Sequence, residues 1–91
     1  MRMTKLTVLV LTLFLLNSGC DSRSAISYHK QGIAYAEQGE FDKAIADFNK
    51  AIELDPTDAI AYYNRGSIYR NQGEFDKAFV DFNKAIELDP T

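Results

Sequence analysis

Sliding the chain against itself by 34 residues aligns Ala25–Thr57 with Ala59–Thr91, and 23 of the 33 pairs are identical. A period of this length is one supersecondary unit written twice, so the fold is an array of like units and not one interleaved domain. The run Gln38-Gly39-Glu40-Phe41-Asp42-Lys43-Ala44 returns as Gln72 through Ala78, and Asp47 through Thr57 returns as Asp81 through Thr91. Of the ten mismatches, eight lie in the first half of the unit (27/61, 29/63, 30/64, 31/65, 33/67, 34/68, 36/70 and 37/71). Only 45/79 and 46/80 lie in the second. The second half is held by packing, while the first is free to differ.

Each unit predicts two helices. Tyr28, Gly32 and Tyr35 fall at i, i+4 and i+7, as do Tyr62, Gly66 and Tyr69, which places each set on one face of a first helix. Gly39 and Gly73 break the chain, and the acidic residues that follow suit the positive end of a second helix. There Ala44, Phe48, Ala51 and Ile52 form an i, i+4, i+7, i+8 stripe, repeated as Ala78, Phe82, Ala85 and Ile86. Pro56 and Pro90 end the second helices, and Thr57 or Asp58 is placed to cap the next. The expected core is aromatic and rich in small residues, with Gly32 and Ala44 letting the helices approach closely. Glu40 with Lys43, and Glu74 with Lys77, sit at i and i+3 and read as surface pairs.

This pattern resembles the tetratricopeptide repeat. The residues that carry the likeness are Tyr28/Tyr62, Gly32/Gly66, Tyr35/Tyr69, Gly39/Gly73, Ala44/Ala78, Phe48/Phe82, Ala51/Ala85 and Pro56/Pro90. The resemblance implies an all-α fold of two tandem helix-turn-helix repeats, 25–58 and 59–91, forming a short right-handed α-solenoid. One departure stands just before the first-helix glycine: the family usually has Leu there, and this chain has Gln31 and Arg65. The expectation is weaker packing or a solvent-facing side chain at that spot.

The resemblance also implies a binding scaffold whose first helices line a concave groove for a peptide or a partner helix. Carried over by position, the groove residues are Ile26, His29, Lys30, Ile33, Ala36 and Glu37 in the first unit. In the second they are Ile60, Tyr63, Asn64, Ser67, Arg70 and Asn71. Tyr63, Asn64 and Arg70 stand out, because an aromatic ring, an amide and a guanidinium together can grip a peptide backbone and a carboxylate. Some chaperone-binding members clamp a C-terminal carboxylate with Lys and Asn. Here His29 and Ile33 stand at two of those places, so that activity is not expected.

Ahead of the repeats, Arg2 and Lys5 precede an apolar run from Leu6 to Leu16 broken only by Thr7 and Thr12. At about 1.5 Å per residue such a run is too short to cross a hydrocarbon core about 30 Å thick. Basic start, apolar centre and Ser18-Gly19 predict a removable signal peptide over 1–19. The stretch Leu16-Asn17-Ser18-Gly19-Cys20 resembles the lipobox of bacterial lipoproteins, although Asn17 departs from the apolar residue usual at its place. The resemblance implies that Cys20 receives diacylglycerol and becomes the new N-terminus, followed by a short linker over 20–24. The alternative is a secreted protein with a free Cys20 thiol. Acyl chains contribute about 0.8 kcal/mol per buried methylene, so two or three hold a protein on a membrane where one does not. Asp21 resembles an inner-membrane retention signal, which implies an exported, lipid-anchored protein facing the periplasm in a Gram-negative cell.

Charge and composition narrow the partners. The chain has 10 basic and 13 acidic residues, and without Arg2 and Lys5 the part from Cys20 onward carries −5. That disfavours nucleic acid, whose phosphates call for clustered Lys and Arg. One His and one Cys cannot build a Cys/His zinc site, and His29 has no sequence motif that would make it a catalytic base. The expectation is a non-catalytic scaffold or assembly factor without cofactor or metal, whose partner is a protein or peptide. Phe82 and Ile86, with Phe79 nearby, have no following unit to pack on. A homodimer through an uncapped C-terminal helix, a fragment of a longer secreted or periplasmic repeat protein, and an accessory subunit of an enzyme complex all remain open readings.

Overall fold

The computed structural model describes residues 21–90, with side chains from Ala25 to Pro90; the expected signal peptide, Cys20 and Thr91 lie outside the described residues. Four helices follow one another: α1 Asp21–Glu37, α2 Phe41–Leu54, α3 Ala59–Asn71 and α4 Phe75–Leu88. Helix α1 starts at Asp21, so most of the linker expected over 20–24 belongs instead to its first turn. The sequence explains this, since neither Gly nor Pro occurs between Cys20 and Gly32 to stop a helix from running back.

The turn inside each hairpin is built twice in the same way. Gly39 and Gly73 have φ of 78° and 81°, and a Cβ at either would meet nothing within 4 Å. Glycine is therefore needed for its backbone and not for space. The Glu40 amide donates to the Tyr35 carbonyl at 2.9 Å and the Gly39 amide to Ala36 at 3.0 Å, with Glu74–Tyr69 and Gly73–Arg70 repeating the pair. This is the Schellman closure of a helix C-terminus. Between the hairpins, Asp58 caps α3 by accepting from the amides of Ile60 and Ala61, while the Thr57 hydroxyl donates to Asp55 at 2.7 Å.

Within each hairpin the small residues meet the large ones. A Cβ on Gly32 would lie 3.0 Å from the Phe48 ring, and one on Gly66 would lie 3.0 Å from Phe82. Both glycines are thus contact points, as their spacing predicted. Between hairpins, Ile68 of α3 packs on Ala44 and Phe48 of α2, with Tyr35, Ala36, Phe41 and Ile45 around them. Helix α3 touches α2 and α4 and also meets α1, so it is the centre of the stack.

The two second-helix phenylalanines fare differently. Phe48 is wholly buried, whereas Phe82 is only half-buried. On α4, Phe75, Phe79 and Ile86 are exposed, while their equivalents Phe41, Ile45 and Ile52 on α2 are half-covered. The uncovered α4 face expected from the repeat pattern is present among the described residues.

At the Gln31/Arg65 departure the structure corrects the expectation for one repeat. Arg65 is neither loosely packed nor left to solvent: its Nε and Nη2 donate to Asp81 at 2.8 and 2.7 Å, and its Nη1 donates to Asn49 of α2 at 2.7 Å. It also lies 5.5 Å from the Tyr62 ring centre. One guanidinium thus joins α2, α3 and α4, and the bond to Asp81 raises its pKa above the ordinary arginine value. Gln31 is exposed, in line with the expectation.

Candidate functional site

The first helices of the two hairpins face each other across a crevice of about 240 Å³. From α1 it is lined by Ile33, Ala36 and Glu37, and from α3 by Asn64, Ser67 and Asn71. Its floor is made by Phe41, Phe48 and Ile68. The spacing follows helix geometry: 33, 36 and 37 sit at i, i+3 and i+4, and 64, 67 and 71 at i, i+3 and i+7, so each set lines one stripe. Chemically the crevice has an apolar floor, two primary amides on one wall and a single carboxylate at its edge. Amides both donate and accept, which suits the alternating N–H and C=O groups of a peptide backbone. The Ser67 hydroxyl turns back to the Tyr63 carbonyl at 3.0 Å, leaving its oxygen able to accept.

His29 sits where the two hairpins join. Its Nδ1 lies 2.9 Å from Asp58 Oδ2, and its Nε2 is 3.4 Å from the Asn64 side-chain nitrogen. The neutral ring with its proton on Nδ1 satisfies both contacts, donating to the carboxylate and accepting from the amide. The ring also meets Phe48 edge-on, with centres 5.6 Å apart. Asp58 therefore caps α3 with one oxygen and ties α1 to it with the other. His29 is half-buried and acts here as a clasp between repeats.

The residues carried over by position fall into three places. Ile33, Ala36, Glu37, Asn64, Ser67 and Asn71 share the crevice. Ile26, His29 and Lys30 line a separate hollow beside Asp55 and Asp58 at one end of the stack. Ile60 and Tyr63 line a third, apolar hollow with Phe82 and Ile86, and Arg70 lies 6.0 Å from the Phe82 ring centre. Tyr63, Asn64 and Arg70 are thus not one cluster: Tyr63 and Arg70 both lean toward Phe82, while Asn64 faces α1.

Sequence reasoning missed the Asp58–His29 clasp and the Arg65–Asp81–Asn49 network. The available signal was the comparison of the repeats: Asp47 and Asp81 are the same residue, but position 31/65 changes from Gln to Arg. Asp47 accordingly has a buried Oδ2 with no hydrogen-bond partner among the described residues. Burial raises its pKa above the usual carboxylate range.

Comparison with known proteins agrees with this architecture. Two family models match, described as TPR repeat over residues 32–73 and as tetratricopeptide repeat over residues 59–91. No curated protein matches. Among solved structures, the crystal structure of MamA is 38% identical with a TM-score of 0.71, covering 72% of this chain and 39% of its own. The first TPR of Spaghetti (RPAP3) bound to the HSP90 peptide SRMEEVD is 32% identical with a TM-score of 0.74, covering 76% of this chain and 55% of its own. The chain thus spans about two fifths to just over half of these structures.

Proposed function

Because the chain is built of tetratricopeptide repeats, we propose that it works as a non-catalytic protein-interaction module that takes a peptide or partner helix in the α1/α3 crevice. The observation that carries this reading is the pairing of walls from two different repeats over an apolar floor, with Asn64 and Asn71 facing Ile33 and Glu37. A related repeat domain is named as binding a peptide, which supports the same class of partner here. The peptide itself is expected to differ from that acidic sequence. Glu37 puts a negative charge at the edge of the crevice, and a neutral or basic segment suits it better.

The test is selection of displayed random peptides on the full chain, followed by rebinding to Ser67→Arg. Position 67 borders the crevice away from the packed core, so the variant is expected to keep its helicity while filling the space. Loss of rebinding supports the reading; equal rebinding contradicts it.

The module is proposed to act at a membrane as a scaffold or assembly factor of an exported lipoprotein, with Cys20 carrying lipid. What supports this is the sequence: a basic and apolar leader, Ser18-Gly19-Cys20, and a lone cysteine. Helix α1 begins at Asp21, directly after that cysteine, so the repeats would lie against the bilayer surface with almost no spacer. Metabolic labelling with a fatty acid should mark the wild type and not Cys20→Ala. Equal labelling, or none in either, would reject the anchor.

A further inference from the structure

The face of α4 that looks away from α3 is nearly the face on which α2 seats α3. Helices α2 and α4 are identical except at 45/79 and 46/80. On α2 that face is covered by Ile68, packed on Ala44 and Phe48 beside Ile45. On α4 the same positions leave Phe79 and Ile86 each more than 60% exposed. A second observation concerns α1. The equivalents of the residues with which α3 and its C-cap meet α2, namely Gln31 and Ala34 on α1 and Gln38 just after it for Arg65, Ile68 and Gln72, are all exposed. The described residues therefore leave exposed the positional equivalents of both sides of the contact between α2 and α3.

We propose that copies of this chain stack head to tail, the α1 of one copy seating on the α4 of the next as α3 seats on α2. Three contacts in the internal interface indicate the fit. Gln72 donates to Asp42 at 3.2 Å, and the equivalent pair, Gln38 with Asp76, is unchanged in sequence. Arg65 donates to Asn49, and the equivalent Gln31 and Asn83 form an amide pair in its place. Ile68 meets the Ala44/Phe48 cluster beside Ile45; in the stacked copy the smaller Ala34 faces the larger Phe79, so bulk lost on one side returns on the other. The start of the incoming helix fills the apolar hollow of Ile60, Tyr63, Phe82 and Ile86. Such a contact uses different surfaces on the two copies. It does not close on itself, and it extends the solenoid from molecule to molecule. A face-to-face pairing of two α4 helices has no such internal template.

The experiment is sedimentation equilibrium of the full chain in detergent, for the wild type, Ala34→Arg, Phe79→Arg and an equimolar mixture of the two variants. Both positions are exposed, and far-ultraviolet circular dichroism checks that the helices survive. Each variant retains one working face, on opposite ends. The expected result is a wild-type mass that climbs past two copies with concentration, each variant alone at one copy, and the mixture at two copies. A wild type that stays at one copy throughout overturns the proposal. So does a dimer of Ala34→Arg alone that gains nothing from mixing, which means α4 pairs with α4. Association of both variants equal to wild type also overturns it, since the contact then lies elsewhere.

Discussion

The two repeats differ at ten of 33 aligned positions, yet they hold the same residues in unequal environments. Phe48 is wholly buried because α3 covers it, while Phe82, in an identical local sequence, is only half-buried. Asp81 is held by two bonds from Arg65, while Asp47, facing no arginine from position 31, keeps a buried oxygen unpartnered. Local sequence sets each hairpin, and what lies on the neighbouring hairpin decides how much each shared residue contributes. That separation between making a unit and stabilising it is characteristic of stacked repeats.

The largest expected asymmetry is at the phenylalanines. Phe48→Ala should cost about 3–5 kcal/mol, the range for emptying a core aromatic site, and Phe82→Ala roughly half that. Urea unfolding of the two variants measures it; equal losses would show that α3 adds nothing to the burial of Phe48.

Next come the aspartates. Asp81→Asn leaves the half-buried Arg65 without its charge partner and should destabilise by about 2–3 kcal/mol, at the lower end for a broken buried pair because Arg65 is partly solvated. Asp47→Asn removes only a carboxylate that burial already disfavours, so it should be neutral or stabilising by up to about 1 kcal/mol. The pH dependence follows with a definite sign. A carboxyl whose pKa is raised on folding binds its proton more tightly in the folded state. Its destabilising effect is therefore present at neutral pH and relieved as pH falls through the raised pKa. Unfolding followed from pH 7 down into the acid range should show that relief in the wild type and not in Asp47→Asn.

A third test asks where the repeats should agree. Gly39→Ala and Gly73→Ala force the same left-handed turn on a residue with a Cβ, with open space around both. Each should cost about 1 kcal/mol, and by similar amounts. The smallest effect expected is a gain: Gln31→Arg supplies Asp47 with the partner that Asp81 already has. It should add roughly 0.5–1 kcal/mol, less than the Arg65 pair contributes, since Arg65 is also held by its bond to Asn49 of α2.

How much was readable in the sequence divides along the same line. The hairpins, the glycine turns and the Gly–Phe contacts follow from period and spacing, because each rests on residues within one unit. The His29–Asp58 clasp and the Arg65 network do not, because thirteen acidic residues offer an arginine or histidine many partners and only the stack selects one. The residues carried over as groove positions lie on the first helices, but position along a helix does not tell which crevice a side chain enters. Tyr63 and Arg70 therefore separate from Asn64, both set against the Phe82 ring of their own hairpin.

The central claim is that the paired walls of α1 and α3 are the binding surface. The most direct measurement is a chemical-shift map of the full chain in detergent micelles, titrated with a peptide selected on it. The strongest shifts are expected at Ile33, Glu37, Asn64, Ser67 and Asn71. Shifts confined to the α4 face around Phe79 and Ile86, with those five unmoved, would contradict it.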